Sequence, residues 1–177
     1  MTTRHQPLVG LAIVSAGVTG VGVWVTYHLE LALLQTAVAP FQPLAVGLVE
    51  ESFVRFVPLI VVFYLWSYRQ GRLLTKTEGL VATIVSGLTV AGLEVVLKLQ
   101  FLSYVEETAR LDALGLPILF VHIPFALVAG RFVYALGERI HGHDTVGVPS
   151  PSPRTIAILA AGYLLLALAH VGYNIVF

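Results

Sequence analysis

Residues 8–27 read LVGLAIVSAGVTGVGVWVTY, twenty positions without a charge or a proline. A run of that length matches the ~20 residues an α-helix needs to cross a hydrocarbon core of ~30 Å. It is longer than a typical signal-peptide core and has no small-residue cleavage site followed by a soluble domain, so it reads as a retained helix. Comparable stretches recur at about 44–68, 79–102, 113–136 and 155–177. Over the 177 residues, 57% are hydrophobic and 11% charged, and the mean hydropathy is +0.87. So few charges could not cover a soluble domain. The expected fold is all-α, a polytopic membrane helical bundle of about five transmembrane helices forming a single integral membrane domain over 1–177.

Between the first two stretches, Leu29 to Val38 is apolar, but Pro40 and Pro43 follow closely. About ten helical residues reach only ~15 Å, which predicts a short interfacial or re-entrant helix, with a sixth span as the alternative. Loop charges favour five. With the N-terminus cytoplasmic, Arg4, the Arg69, Arg72 and Lys76 group, and Arg139 with Arg154 all fall inside. The 103–112 loop, with Glu106, Glu107, Arg110 and Asp112, falls outside. That is the positive-inside asymmetry. The 138–154 segment ends in Pro-Ser-Pro-Ser-Pro and reads as a flexible solvated linker, since proline removes donors and restricts the residue before it. Zero net charge leaves no basic footprint for nucleic acid, so the lipid bilayer is the expected environment. The absence of cysteine excludes disulfides, thiolate metal sites and a Cys nucleophile. No internal repeat of the kind common in transporters is visible.

Against this background, Glu50, Glu51, Glu94, His122 and His170 are expensive. An ionised side chain at the centre of a membrane helix costs about 2.5–3.5 kcal/mol on insertion scales. With alternating helix directions, Glu50, Glu94, His122 and His170 all fall roughly 10–15 Å below the same surface, the outer one. Four helices thus offer ionisable groups at one level. Glu51 and Arg55 are four apart, in the favourable acid-before-base order, and a neighbouring cation keeps a carboxylate charged in low dielectric. Glu50 is rotated about 100° from Glu51, which frees it for another partner. His170 and Asn174 share a face. Any one of these residues alone reads as a satisfied core group, and Lys98 as a neutraliser of Glu94. His28, Glu30, His141 and His143 read as interfacial or loop residues, and Pro58, Pro117 and Pro124 as kinks near a cavity. Taken together, the five buried groups suit water activation: Glu takes a proton, His and Asn donors stabilise an oxyanion, and a metal can polarise a carbonyl. The sequence contains neither HExxH nor GxSxG, which excludes an ordinary zincin and disfavours serine hydrolysis.

Glu50-Glu51-Ser-Phe-Val-Arg55 resembles the EExxxR motif of the CAAX-protease and bacteriocin-processing superfamily, and the related PrsW family has a similar double-glutamate motif. Gly92-Leu-Glu94 is similar to a PrsW glycine-and-glutamate segment. His122 with Gly130 looks like the PrsW HxxxxxxxG span, and His170-Val-Gly-Tyr-Asn174 matches the closing HxxxN. These motifs fall on four of the five spans, in the family's order. Two departures place the chain nearer PrsW proteins than CAAX proteases while differing from both. Ile118 stands where FxxxH needs Phe, and Arg55 stands where PrsW proteins more often carry Lys. The resemblance implies an intramembrane endopeptidase acting on a membrane-anchored protein or peptide. It implies Glu50 as general base assisted by His122, Glu51 paired with Arg55, and His170 with Asn174 stabilising the oxyanion. Zinc and metal-free mechanisms both stay open; Glu94, His122 and His170 form a reasonable O/N zinc set. An outward-facing site suits cleavage of a membrane-anchored regulator at the plasma membrane of a prokaryote. Two other readings compete: a proton-coupled transporter or channel using the Glu/His cluster, and a bis-histidine haem protein, which leaves the glutamates unexplained.

Overall fold

The computed structural model describes residues 6–36, 41–102, 111–141 and 152–176, and no strand occurs among them. The helices are α1 (Gln6–Thr36), α2 (Gln42–Glu50), a π-helical stretch (Glu51–Phe56), α3 (Val57–Gln70), α4 (Lys76–Leu102), α5 (Leu111–His141) and α6 (Pro153–Val176). Four regions are long and apolar enough to cross a membrane: Leu8–Leu33, Lys76–Leu97, Phe120–Glu138 and Pro153–Tyr173. The remaining helical rod, 42–70, carries Glu50, Glu51 and Arg55 and is divided by the π-helical stretch.

Among the described residues, no separate short helix forms within 28–36; residues 37–40 lie outside the described residues. Residues 28–36 are instead the last turns of α1, because no glycine or proline occurs from Tyr27 to Gln35 and the first breaker is Pro40. At 31 residues, α1 is about 46 Å long, well beyond a hydrocarbon core. Pro43 falls in the first turn of α2, where its missing N–H costs nothing. The expected linker is shorter than 138–154: α5 continues to His141, and α6 starts at Pro153, again a first-turn proline. Residues 142–151, with His143, lie outside the described residues. α5 runs unbroken through Pro117 and Pro124.

Pro58 has a local effect. The Val57 N–H bonds to the Ser52 carbonyl, five residues back, and Pro58 can donate to neither Phe53 nor Val54. The chain widens into the π-helical turn immediately before this proline, a form found mostly as single turns at functional sites. α1 closes on that turn at Gly22, where a Cβ would stand 2.1 Å from the Phe53 carbonyl oxygen. Only glycine permits this approach.

The π-helical stretch touches all six α-helices. Around it α1 packs on α4, α4 on α5, and α2 on α6. Leu11, Phe56, Leu59, Val62, Phe63, Trp66, Ala129 and Val133 form one apolar core, and Val23, Val54 and Val90 a second. The outward faces are also apolar: Ile13, Trp24, Tyr64, Leu80, Val96, Phe120 and Leu165 are all exposed. Apolar surface on both sides of its helices is the pattern of a membrane protein.

The α3–α4 turn is built from polar groups. The Thr75 N–H donates to Glu78 at 2.7 Å, and the Glu78 N–H donates to the Thr75 hydroxyl at 3.2 Å. This reciprocal capping box starts α4. Arg72 donates to both Glu78 oxygens at 2.8 Å, a bidentate fork. Thr75→Ala should therefore cost about 1 kcal/mol of stability. The check is unfolding of the detergent-solubilised protein against an exposed control such as Thr77→Ala.

Candidate functional site

Arg55 is fully buried at the centre of the bundle. The π-helical turn directs Glu51, Val54, Arg55 and Phe56 inward. A buried guanidinium carries five donors and no acceptor, so its surroundings must supply lone pairs. Three groups do. Arg55 Nη1 donates to Glu51 Oε1 and lies 3.3 Å from His170 Nδ1. Nη2 donates to His122 Nδ1. The ring of Phe125 lies 5.2 Å from the guanidinium carbon, close enough for a cation–π contact.

These contacts set the histidine protons. Arg55 can only donate, so His122 Nδ1 accepts and the ring proton sits on Nε2, which faces Glu94 Oε2. His170 stands between the two adjacent carboxylates. Its Nδ1 is 3.0 Å from Glu51 Oε1 and its Nε2 is 3.3 Å from Glu50 Oε2. Nδ1 is nearer the carboxylate than the guanidinium, which assigns it a proton donated to Glu51. The two imidazoles lie edge to face with centroids 5.7 Å apart.

Burial separates the carboxylates. The side chains of Glu51, Arg55, His122 and His170 are at most 2% exposed, whereas Glu50 is 15% and Glu94 18% exposed. Glu51 is thus locked against its cation, while Glu50 and Glu94 sit at the open side of the cluster. Three carboxylates against one guanidinium leave a formal charge of −2. One proton within each outer Glu–His pair would cancel it, giving two places where a proton can be held and moved.

The chain therefore brings together Glu50 from α2, Glu51 and Arg55 from the π-helical turn, Glu94 from α4, His122 from α5 and His170 from α6. No protein-family model matches this chain, and neither a curated protein nor a solved structure matches it.

Several pairings differ from the sequence expectation. Glu94 meets His122; the side chain of Lys98, its expected neutraliser, lies outside the described ones. Glu50 meets His170, not His122. Asn174 lies on α6 one turn after His170, with its side chain outside the described ones. His28 is exposed on α1 and packs edge-on against Trp24.

Glu94, His122 and His170 do not converge on one point. Glu94 pairs with His122 and His170 stands between Glu50 and Glu51, with a guanidinium against the Nδ1 atoms of both rings. Among the described residues no group of three or more His, Asp or Glu is set to hold a metal ion. The arrangement does not fit a zinc site.

Two supporting residues were not legible beforehand. Tyr163 Oη lies 2.9 Å from the Leu48 carbonyl and 2.7 Å from the Ser52 hydroxyl, which itself reaches the same carbonyl at 2.7 Å. This polar triangle fastens α6 to the rod next to Glu50 and Glu51. Phe125, under the guanidinium, lies in an apolar run with nothing local to single it out. Ser52, inside the double-glutamate motif, offered the one available signal.

Proposed function

We propose that the chain is a five-span integral membrane protein, with 42–70 as the fifth span, and an intramembrane endopeptidase that hydrolyses a peptide bond of a membrane-anchored protein or peptide. What carries the reading is the division of labour between two adjacent carboxylates. Glu51 is buried and fixed by Arg55, while Glu50 is partly open and faces an imidazole nitrogen with no proton assigned to it. Structural neutralisation of Arg55 needs one carboxylate; it accounts for neither Glu50 nor Glu94. The resemblance to PrsW and CAAX-type motifs supports Glu50 as the base and Glu51 as the partner of Arg55; the roles it implies for His122 and His170 are exchanged here, because Glu50 meets His170.

Glu50 removes a proton from a water molecule, and the water oxygen attacks the scissile carbonyl carbon. The proton passes to His170 Nε2 and then to the leaving amine as the C–N bond breaks, which releases a carboxylic acid and an amine. The Nδ1–H of His170 stays on Glu51, which holds the ring in register through the cycle. His122 Nε2–H, beside Glu94 at the open side, is the donor available to a developing oxyanion, with Asn174 one turn beyond His170 as a second by resemblance. With the N-terminus cytoplasmic, as the loop charges favour, this opening faces the outer leaflet.

The test is reconstitution of the purified chain in vesicles with a pool of single-span reporter peptides, with the products read by mass spectrometry. Cleavage near the membrane surface, absent from heat-inactivated protein, is the expected result. Proton flux across the vesicle wall without cleavage would replace this reading by that of a proton-coupled transporter.

A further inference from the structure

At the end of the bundle remote from the Glu/His cluster, a cleft of about 440 Å³ opens between α4 and α5. Its size falls in the range of small-ligand clefts, roughly 300–1,000 Å³. Lys76, Leu80, Leu127, Arg131, Tyr134 and Glu138 line it. Lys76, Arg131 and Glu138 are all exposed, and among the described residues no ion pair joins any of them to another side chain. Three charges with no ion-pair partner among the described residues line a groove with apolar sides, on a helix pair long enough to span a bilayer. Arg131 most of all requires an explanation, since it lies within the apolar region Phe120–Glu138.

The register of the two helices orders these groups by depth. Tyr134 lies against Gly79, Gly130 against Thr83, and Ala126 against Gly87, so α5 descends as α4 climbs. Glu138 is therefore level with the first turn of α4 and outermost, and Lys76 lies beside it. Arg131, seven residues before Glu138, is about 10 Å deeper, within snorkelling reach of the level between them. Leu80 lies between Lys76 and Arg131 in depth, and Leu127 lies below Arg131. From outside inward the cleft presents Glu138 and Lys76 side by side, then Arg131, then apolar wall.

We propose that this cleft binds the headgroup of a zwitterionic aminophospholipid of the phosphatidylethanolamine type. The phosphate lies between Lys76 and Arg131, the primary ammonium donates to Glu138, and an acyl chain runs down the groove past Leu80 and Leu127. Glu138 at the rim matches the terminal ammonium of that lipid, and Arg131, deeper in the cleft, matches its phosphate, with Lys76 in reach of both. An anionic glycerol headgroup brings no ammonium to Glu138, and a choline headgroup has no N–H to donate. The proposal requires the chain to span a membrane and is independent of peptidase activity, because none of these residues belongs to the Glu/His cluster.

The test uses the full chain in detergent, with retention of phosphatidylethanolamine, phosphatidylcholine and phosphatidylglycerol of identical acyl chains compared by native mass spectrometry. Phosphatidylethanolamine should be retained about tenfold over either other lipid, corresponding to ~1.4 kcal/mol. The double variant Lys76→Gln, Arg131→Gln should lose this retention. Glu138→Gln should erase the preference for phosphatidylethanolamine over phosphatidylglycerol. That ratio is internal to one sample and remains readable even where a variant lowers folding yield. Equal retention of all three lipids, a preference for phosphatidylglycerol, or a ratio unmoved by Glu138→Gln would each overturn the proposal.

Discussion

Glu50→Gln should leave the bundle folded and remove about 10²–10⁴-fold of the peptide-hydrolysis rate, the range a positioned general base supplies. Glutamine keeps the size of the side chain and can still donate to His170 Nε2, 3.3 Å away, so packing is undisturbed; it cannot accept a proton from water. Because Glu50 is the more open of the two adjacent carboxylates, the change also leaves the Glu51–Arg55 pair in place. Thermal unfolding near wild type with hydrolysis lost is the expected pair of readings. The neighbouring change Glu51→Gln should behave in the opposite way, with stability falling alongside activity, because it leaves a buried guanidinium without its ionic partner. Wild-type hydrolysis by the Glu50→Gln protein would end the mechanism proposed for it. Equal stability losses from Glu50→Gln and Glu51→Gln would reduce the pair to a structural ion cluster.

The helical, apolar make-up of the chain was legible because a span leaves a long uninterrupted signal, as residues 8–27 do. Finer boundaries were less so. Pro40 and Pro43 suggested a separate short helix, yet a helix needs a breaker in order to stop, and α1 meets none between Tyr27 and Thr36. The members of the Glu/His cluster could be named in advance, since polar groups stand out inside apolar runs and spacing along alternating helices gives their depth. Their partners could not. Depth says nothing of azimuth, so the pairing of Glu94 with His122 and the position of His170 between Glu50 and Glu51 depend on helix rotations that only packing fixes. Gly22 against the Phe53 carbonyl and the π-helical turn before Pro58 are part of that packing. Tyr163 and Phe125 follow the same rule. Their roles come from the helix they face, and nothing in the neighbouring residues marks them.

Arg55→Ala should be the most destabilising single change in the chain, by about 3–5 kcal/mol, the cost of removing one partner from a buried charge pair. The loss has more than one source. Glu51, with a fully buried side chain, keeps its charge and loses its cation. Nδ1 of His122 loses its donor, and a cavity opens over the Phe125 ring. These burdens fall on the π-helical turn and on α5, so the two loosen together. Unfolding by denaturant in detergent measures the sum. Arg55→Lys separates charge from geometry. An ammonium on a flexible stem can neutralise Glu51, but it cannot present two fixed N–H directions to His122 and to the Glu51–His170 pair at once. This variant should recover much of the stability of Arg55→Ala while hydrolysis stays low, because the histidine tautomers are no longer imposed from the centre. A lysine variant with full activity would show that the guanidinium serves only as a counter-charge. An alanine variant as stable as wild type would mean that Glu51 takes up a proton when its cation is removed, and the cluster would then be held together by packing alone.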